Sequence, residues 1–105
     1  MRVTSCFLTM SILLFTAVIA QAHTPLCSCF DNGDGTITCE GGFSDGSSAS
    51  GVTMRVETPD GKVLFEGKMG EDSDFSFDKP KEDYVVMFDA GEGHQIQVPG
   101  KEIVE

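Results

Sequence analysis

The sequence contains no tryptophan and one tyrosine, and it carries only 7 basic residues against 17 acidic ones. A formal charge of −10 repels phosphate backbones and anionic lipid surfaces, which excludes nucleic-acid binding. Beyond residue 22 no apolar run approaches the roughly 20 residues that a membrane-spanning helix needs. No stretch there has an apolar period of 3.6 either, so helices are not expected. Serine, histidine and aspartate all occur, but no nucleophile elbow or paired catalytic motif frames them. A chain of 105 residues also has little room for a deep pocket, and the sequence reads as a non-enzyme.

The one long apolar run lies at the start. Arg2 precedes Cys6–Ala20, and Ala20-Gln21-Ala22 supplies small residues where a signal peptidase inspects the chain. Residues 1–22 therefore read as a secretory signal peptide, with an uncleaved N-terminal anchor as the alternative. Lipoprotein processing at Cys27 does not fit, because Thr24-Pro25-Leu26 lacks the small residue required just before the cysteine. Cleavage leaves residues 23–105 as a single domain, secreted across the cytoplasmic membrane into a periplasmic or other extracytoplasmic space. Without Arg2 the balance is 6 basic to 17 acidic residues, a formal charge of −11. His23 then becomes the first residue and offers an α-amine and an imidazole together.

Residues 23–105 read as strands separated by turns. Gly51–Thr58 alternates, with Val52, Met54 and Val56 on one face. Pro59-Asp60-Gly61 is a turn signal, because proline presets φ and glycine accepts positive φ. Lys62–Met69 resumes the alternation with Val63, Phe65 and Met69 inward, which makes a hairpin. Asp74–Asp78 is a short strand, and Tyr84–Phe88 is a continuous apolar run expected of a central strand covered on both faces. His94–Val98 closes the set, and Glu40–Gly51 reads as a loop-rich connection. About seven short strands predict an all-β fold, a small antiparallel β-sandwich.

Four cysteines occur, and Cys27, Cys29 and Cys39 remain after cleavage. Cys27 and Cys29 share one face of an extended strand. With Asp31–Gly35 as a hairpin loop, one register sets Cys27 opposite Cys39, and a slip of two residues sets Cys29 there instead. Both registers put all three thiols on the face of Ile37. Three readings stay open: a disulfide plus a spare thiol, a thiolate cluster binding a soft or borderline metal, or a redox or intermolecular role. The nearby Asp31-Asn32-Gly33-Asp34-Gly35 resembles part of a calcium loop. Phe30 and Gly41 fall where two essential ligand oxygens belong, so a hairpin turn is expected. His94 follows Asp89-Ala90-Gly91-Glu92-Gly93. Alternation predicts either a half-buried ring bonded to Asp89 or an oriented metal ligand at a loop tip.

These residues together resemble the small extracytoplasmic NikL-type component of energy-coupling-factor nickel/cobalt transporters. The resemblance rests on His23 directly after the signal, on Gly35-Thr36-Ile37-Thr38-Cys39-Glu40-Gly41-Gly42-Phe43-Ser44-Asp45-Gly46, and on Pro59–Lys68. It continues through Phe75-Ser76-Phe77 and ends on Asp89-Ala90-Gly91-Glu92-Gly93-His94. The hairpin stretch is shared with transthyretin-like and carboxypeptidase-regulatory-like β domains in general, and an Ig-like arrangement also fits the strand count. The resemblance implies an accessory protein that captures or delivers Ni²⁺ or Co²⁺ for membrane transporter subunits. Family members usually have an aromatic and aliphatic first strand, so a metal role for Cys27, Cys29 and Cys39 is an inference from their chemistry. Together with His23 and His94 they form the expected ligand set, and nitrogen with sulfur also suits Zn²⁺ or Cu⁺. Pro25 at the third processed position has no amide hydrogen, which excludes the square-planar chelate that needs a histidine there. Unperturbed, an α-amine titrates at about 7.7–8 and an imidazole at about 6.5, so binding through His23 should weaken on mild acidification. The alternative is a non-catalytic structural or interaction module whose N-terminal hairpin is stapled by a disulfide.

Overall fold

The computed structural model describes residues 24–105, and the expected signal peptide and His23 lie outside them. Seven strands form in chain order: β1 (Pro25–Asp31), β2 (Thr36–Phe43), β3 (Thr53–Glu57), β4 (Val63–Lys68), β5 (Asp74–Asp78), β6 (Val85–Asp89) and β7 (Gln95–Pro99). A short 3₁₀ turn, Gly100–Glu102, follows. The strands build two antiparallel sheets, ordered β1-β2-β5 and β4-β3-β6-β7. The chain is thus the small antiparallel β-sandwich that its alternation predicts. Its connectivity is immunoglobulin-like, with the fourth strand paired to the third rather than joined to the first sheet.

The core lies between the sheets. Ile37 and Cys39 from one sheet meet Met54, Val56, Val86 and Phe88 from the other, all fully buried. Alternate residues of β3 and β6 supply that face, as the period of two requires. Val85 and Met87 are only partly buried, which corrects the expectation of cover on both faces. β6 is central within its sheet, but a two-sheet sandwich covers one face of each sheet and leaves the other to solvent.

Two further expectations shift for local reasons. The Pro59-Asp60-Gly61 turn forms as read: Thr58 N donates to Lys62 O at 2.8 Å, Gly61 N donates to Thr58 O at 2.9 Å, and Gly61 takes φ +95°. Beside it, however, a bulge between Val56 and Glu57 shifts the β3–β4 register. Phe65 stays opposite Val56 and reaches the Phe77 ring at 6.1 Å, but at the sheet edge it is 39% exposed rather than buried as expected. Val63 instead falls opposite Glu57 and is 45% exposed, while Leu64 packs against the core. The bulge thus removes Val63 from the expected inward set. Second, β2 runs on through Phe43, so Glu40–Phe43 is strand and the loop starts at Ser44.

Gly41 explains why a glycine sits inside that strand. A Cβ there would stand 2.7 Å from Met69 Sδ and 2.7 Å from Phe88 Cε2, closer than van der Waals contact allows. The absent side chain lets β2 approach the second sheet just where Cys27 lies opposite. Gly41→Ala should therefore cost about 1–3 kcal/mol as an overpacked core does. Urea unfolding checks this, and an unchanged midpoint would show that the ring and the thioether move aside freely.

Candidate functional site

The β1–β2 hairpin fixes the cysteines. Its turn is tied by its own side chains: Gly33 N donates to Asp31 Oδ1 at 2.8 Å, and Thr36 N and Oγ1 donate to Asp34 Oδ1 at 3.0 and 2.6 Å. Asp31 also pairs with Lys79 Nζ at 2.8 Å. These bonds hold both carboxyls below the usual carboxylate range, with the Lys79 hydrogen bond leading for Asp31 and the Thr36 side chain for Asp34. The loop is thus a hairpin turn whose acidic groups serve the chain itself. Asn32 N donates to Thr36 O at 3.0 Å, which closes the hairpin around Gly33-Asp34-Gly35 and sets Cys29 opposite Cys39.

Of the two registers read from the sequence, this is the one slipped by two residues. Asn32 and Thr36 form a hydrogen-bonded pair, so Cys29 and Cys39, three rungs on, occupy a non-hydrogen-bonded pair, where side chains come closest. They form a disulfide with Cα atoms 3.9 Å apart. Cys27 lies one rung pair away, opposite Gly41, and is a free thiol. The sulfurs of Cys27, Cys29 and Cys39 all lie within 4.8 Å of one another. All three pack with the core, Cys39 fully buried and the other two partly so. Burial pushes the Cys27 thiol up to about 11. Cys27 also helps to line a shallow cavity of about 360 Å³ with Leu26, Ser28, Glu40, Gly41 and Gly42.

His94 sits elsewhere and differs from its expectation. It is exposed, in a turn just before β7. Its Nδ1 lies 3.3 Å from Glu92 O, and its backbone closes the turn through His94 N to Gly91 O at 2.8 Å and Ala90 N to His94 O at 3.0 Å. Strand pairing stops at Asp89 opposite Gln95. Gly91 and Gly93, at φ +112° and +81°, then bend the chain out of the plane in which alternation holds, so the ring is not half-buried. Asp89 does not receive it. Its carboxylate takes the Gly91 amide at 3.0 Å, Gln95 Nε2 at 3.1 Å and Arg55 Nη1 at 3.0 Å. With Gln95 the leading cause, those bonds hold Asp89 below the usual carboxylate range. Asp89 therefore orients the turn that carries the histidine rather than the ring itself.

The topology then sets His94 at the same end of the sandwich as the start of β1. Thr24 N donates to Ser44 Oγ at 3.2 Å, and Ser44 N donates to Thr24 O at 2.9 Å. Phe43, opposite Pro25, meets the Phe88 ring edge-on at 6.0 Å. Phe88 immediately precedes the Asp89–His94 turn. β1 and β7 touch along their edges, and at the far end Asp31 N donates to Val104 O at 3.0 Å. The two edge strands thus run side by side in one direction, and both begin at the same end of the sandwich. One starts just after His94, the other just after Thr24. This shared end is not legible in the sequence, because it depends on which edges two separate sheets bring together.

At the opposite end Tyr84 is buried against Phe77, their rings 6.1 Å apart. Its hydroxyl has no hydrogen-bond partner among the described residues, and burial raises its pKa. Among the described residues no helix is long and apolar enough to cross a membrane. No protein-family model matches the chain, and neither a curated protein nor a solved structure does.

Two expectations follow from the cysteines. Because the thiolate is the nucleophile, a thiol at about 11 should be alkylated slowly at neutral pH. Its rate should climb about tenfold per pH unit between pH 7 and 10. Mass spectrometry of iodoacetamide-treated protein measures this, and a flat profile would contradict burial as the controlling factor. Second, the Cys29–Cys39 bridge closes a loop with a sequence separation of 10, worth about 3 kcal/mol in the chain-entropy view. The Cys29→Ala/Cys39→Ala double variant should lose about that much, read from its denaturant midpoint.

Proposed function

We propose that the chain is a secreted accessory protein that binds Ni²⁺ or Co²⁺ and hands it to the subunits of a membrane uptake transporter. The observation that supports this most directly is the common end of β1 and β7. His94 is exposed there, and residue 24 is held there by the paired bonds between Thr24 and Ser44. His23 is joined covalently to that residue. Cleavage before His23 would bring an α-amine and an imidazole to the end of the sandwich that already presents the His94 imidazole. Three nitrogen donors suit borderline divalent ions such as Ni²⁺ and Co²⁺. An exposed position suits a cargo ion that has to leave again. The metal here is the substrate of transport, and no reaction is required of the fold.

The resemblance to NikL-type components supports the same reading through His23 and the Asp89–His94 element. A disulfide on β1 fits an oxidising compartment outside the cytoplasm. The dense negative charge of residues 23–105 draws cations towards the surface without selecting among them.

A second reading has its own observation. The Cys29–Cys39 disulfide staples the N-terminal hairpin, and β1 exposes Leu26 at 51% and Phe30 at 36%. Those features fit a structural or interaction module in which the histidines are incidental.

Calorimetric titration of residues 23–105 with Ni²⁺ and Co²⁺ separates the two. A form bearing one extra N-terminal residue, which removes the amine chelate, should bind far more weakly. His94→Ala should lose at least the 10- to 100-fold that removing an outer-shell partner alone costs. Affinity should fall from pH 8 to pH 6 as the donors at His23 take up protons. Equal weak binding by all three proteins would leave the interaction module standing. Equal tight binding would move the metal away from both histidines.

A further inference from the structure

The disulfide and the metal-binding thiolate cluster are two readings of the same three cysteines, and the geometry allows one to be the closed state of the other. We propose that reduction of the Cys29–Cys39 disulfide opens a metal site in which Cys27, Cys29 and Cys39 bind a thiophilic divalent cation, with Zn²⁺ as the type. This site is separate from the histidine end and does not depend on the reading given to it.

Three observations carry the proposal. First, the sulfurs of Cys27, Cys29 and Cys39 already lie within 4.8 Å of one another. Three thiolates around one Zn²⁺ at about 2.3 Å stand roughly 3.8 Å apart. The cluster therefore needs side-chain rotation but no change of strand register. Second, the third sulfur is supplied by backbone that is already held in place. Cys27 lies opposite Gly41, and Gly41 is the position where the absent Cβ lets β2 close on Met69 and Phe88. Third, Cys27 is a free thiol on the wall of a shallow cavity. That cavity opens Cys27 to an incoming ion and leaves room for water as a fourth ligand.

The class of ion follows from charge. Three thiolates with a divalent cation leave one negative charge in a half-buried place, whereas a monovalent cation leaves two. Buried uncompensated charge is costly, which favours the divalent ion. Sulfur ligands in turn favour a soft or borderline ion over Mg²⁺ or Ca²⁺. The redox step balances with a dithiol reductant. The reductant gives two electrons and two protons to the Cys29–Cys39 bond and becomes a disulfide itself, leaving two thiols. The cation then displaces the thiol protons.

The test uses residues 23–105 in two forms, as the disulfide and after reduction with a phosphine that ends as its oxide. Excess reagent is removed without air, and each form is titrated with Cd²⁺ as a thiolate-sensitive probe, then with competing Zn²⁺. The reduced form should take up one Cd²⁺ per chain with the ultraviolet charge-transfer band of metal–thiolate bonds. The disulfide form should bind at least 100-fold more weakly and show no such band. Cys27→Ser keeps the disulfide pair and should weaken binding by the reduced form at least tenfold, while His94→Ala should not change it. Thermal unfolding of the reduced form should move upward with Zn²⁺, since a ligand specific to the folded state stabilises it. That shift also covers a reduced chain that has partly unfolded. Equal binding by both redox forms, unchanged binding by Cys27→Ser, or a reduced chain that neither binds nor gains stability each overturns the proposal. Failure here leaves Ni²⁺ binding by the disulfide form untouched, and the reverse also holds.

Discussion

Cys29 and Cys39 face each other across a non-hydrogen-bonded pair of β1 and β2, and the rest of the N-terminal edge depends on that alignment. It sets Cys27 opposite Gly41 and Pro25 opposite Phe43. Phe43 then reaches Phe88 of the second sheet, so one register also aligns the two sheets at this end. A slip of two residues would keep the same inward face, because side chains alternate with a period of two. It would nonetheless move Cys29 off its partner and part Pro25 from Phe43. Hydrophobic pattern alone does not distinguish these registers; the turn does. Asp31 and Asp34 bind amides within the loop, and the Asn32–Thr36 pair closes it at three residues.

The same reasoning explains why some of the fold is legible in the sequence and some is not. β3, β5 and the Pro59–Gly61 turn follow from alternation and from proline and glycine chemistry, which act within a few residues. The shared face of the three cysteines follows from the same period. Val63 fails because a single bulge between Val56 and Glu57 breaks the count, and nothing in the hairpin's composition marks where a bulge will fall. His94 departs for a related reason: alternation holds only as far as Asp89–Gln95, where pairing ends and two glycines take positive φ. Glu40–Phe43 reads as the start of the loop because glycines usually interrupt strands. Here a glycine is what close sheet packing requires.

Asp89 illustrates how an acidic residue can matter to a site without touching a ligand. It sits at the end of β6, takes one bond from the turn, one from Gln95 at the start of β7 and one from Arg55, and Arg55 in turn holds Glu57 at 2.9 Å. The position of the His94 backbone is thus tied to the outer face of the second sheet. The ring keeps only the longer approach to Glu92 O, which leaves it free to turn towards an ion. A rigid turn carrying a loosely held imidazole suits capture and release better than a buried, fully bonded histidine would.

The two candidate chemistries differ in exposure, and that difference argues for different roles. On the proposed reading, nitrogen donors at an open end of the sandwich would exchange an ion readily, as transport requires. Sulfurs at the core, one of them fully buried, would exchange slowly, and two of the three are masked whenever the disulfide is intact. In an oxidising space Cys29 and Cys39 are then withdrawn from competition, and Cys27 is left as a single free thiol. That matters, because three free thiolates would bind Zn²⁺ strongly and occupy the protein with the wrong ion. On the proposed reading the disulfide thus protects selectivity at the histidine end as well as stapling β1. The cluster and the turn are separate in the fold, and on the proposed reading the oxidation state of the cluster decides only whether its thiols compete for the ion.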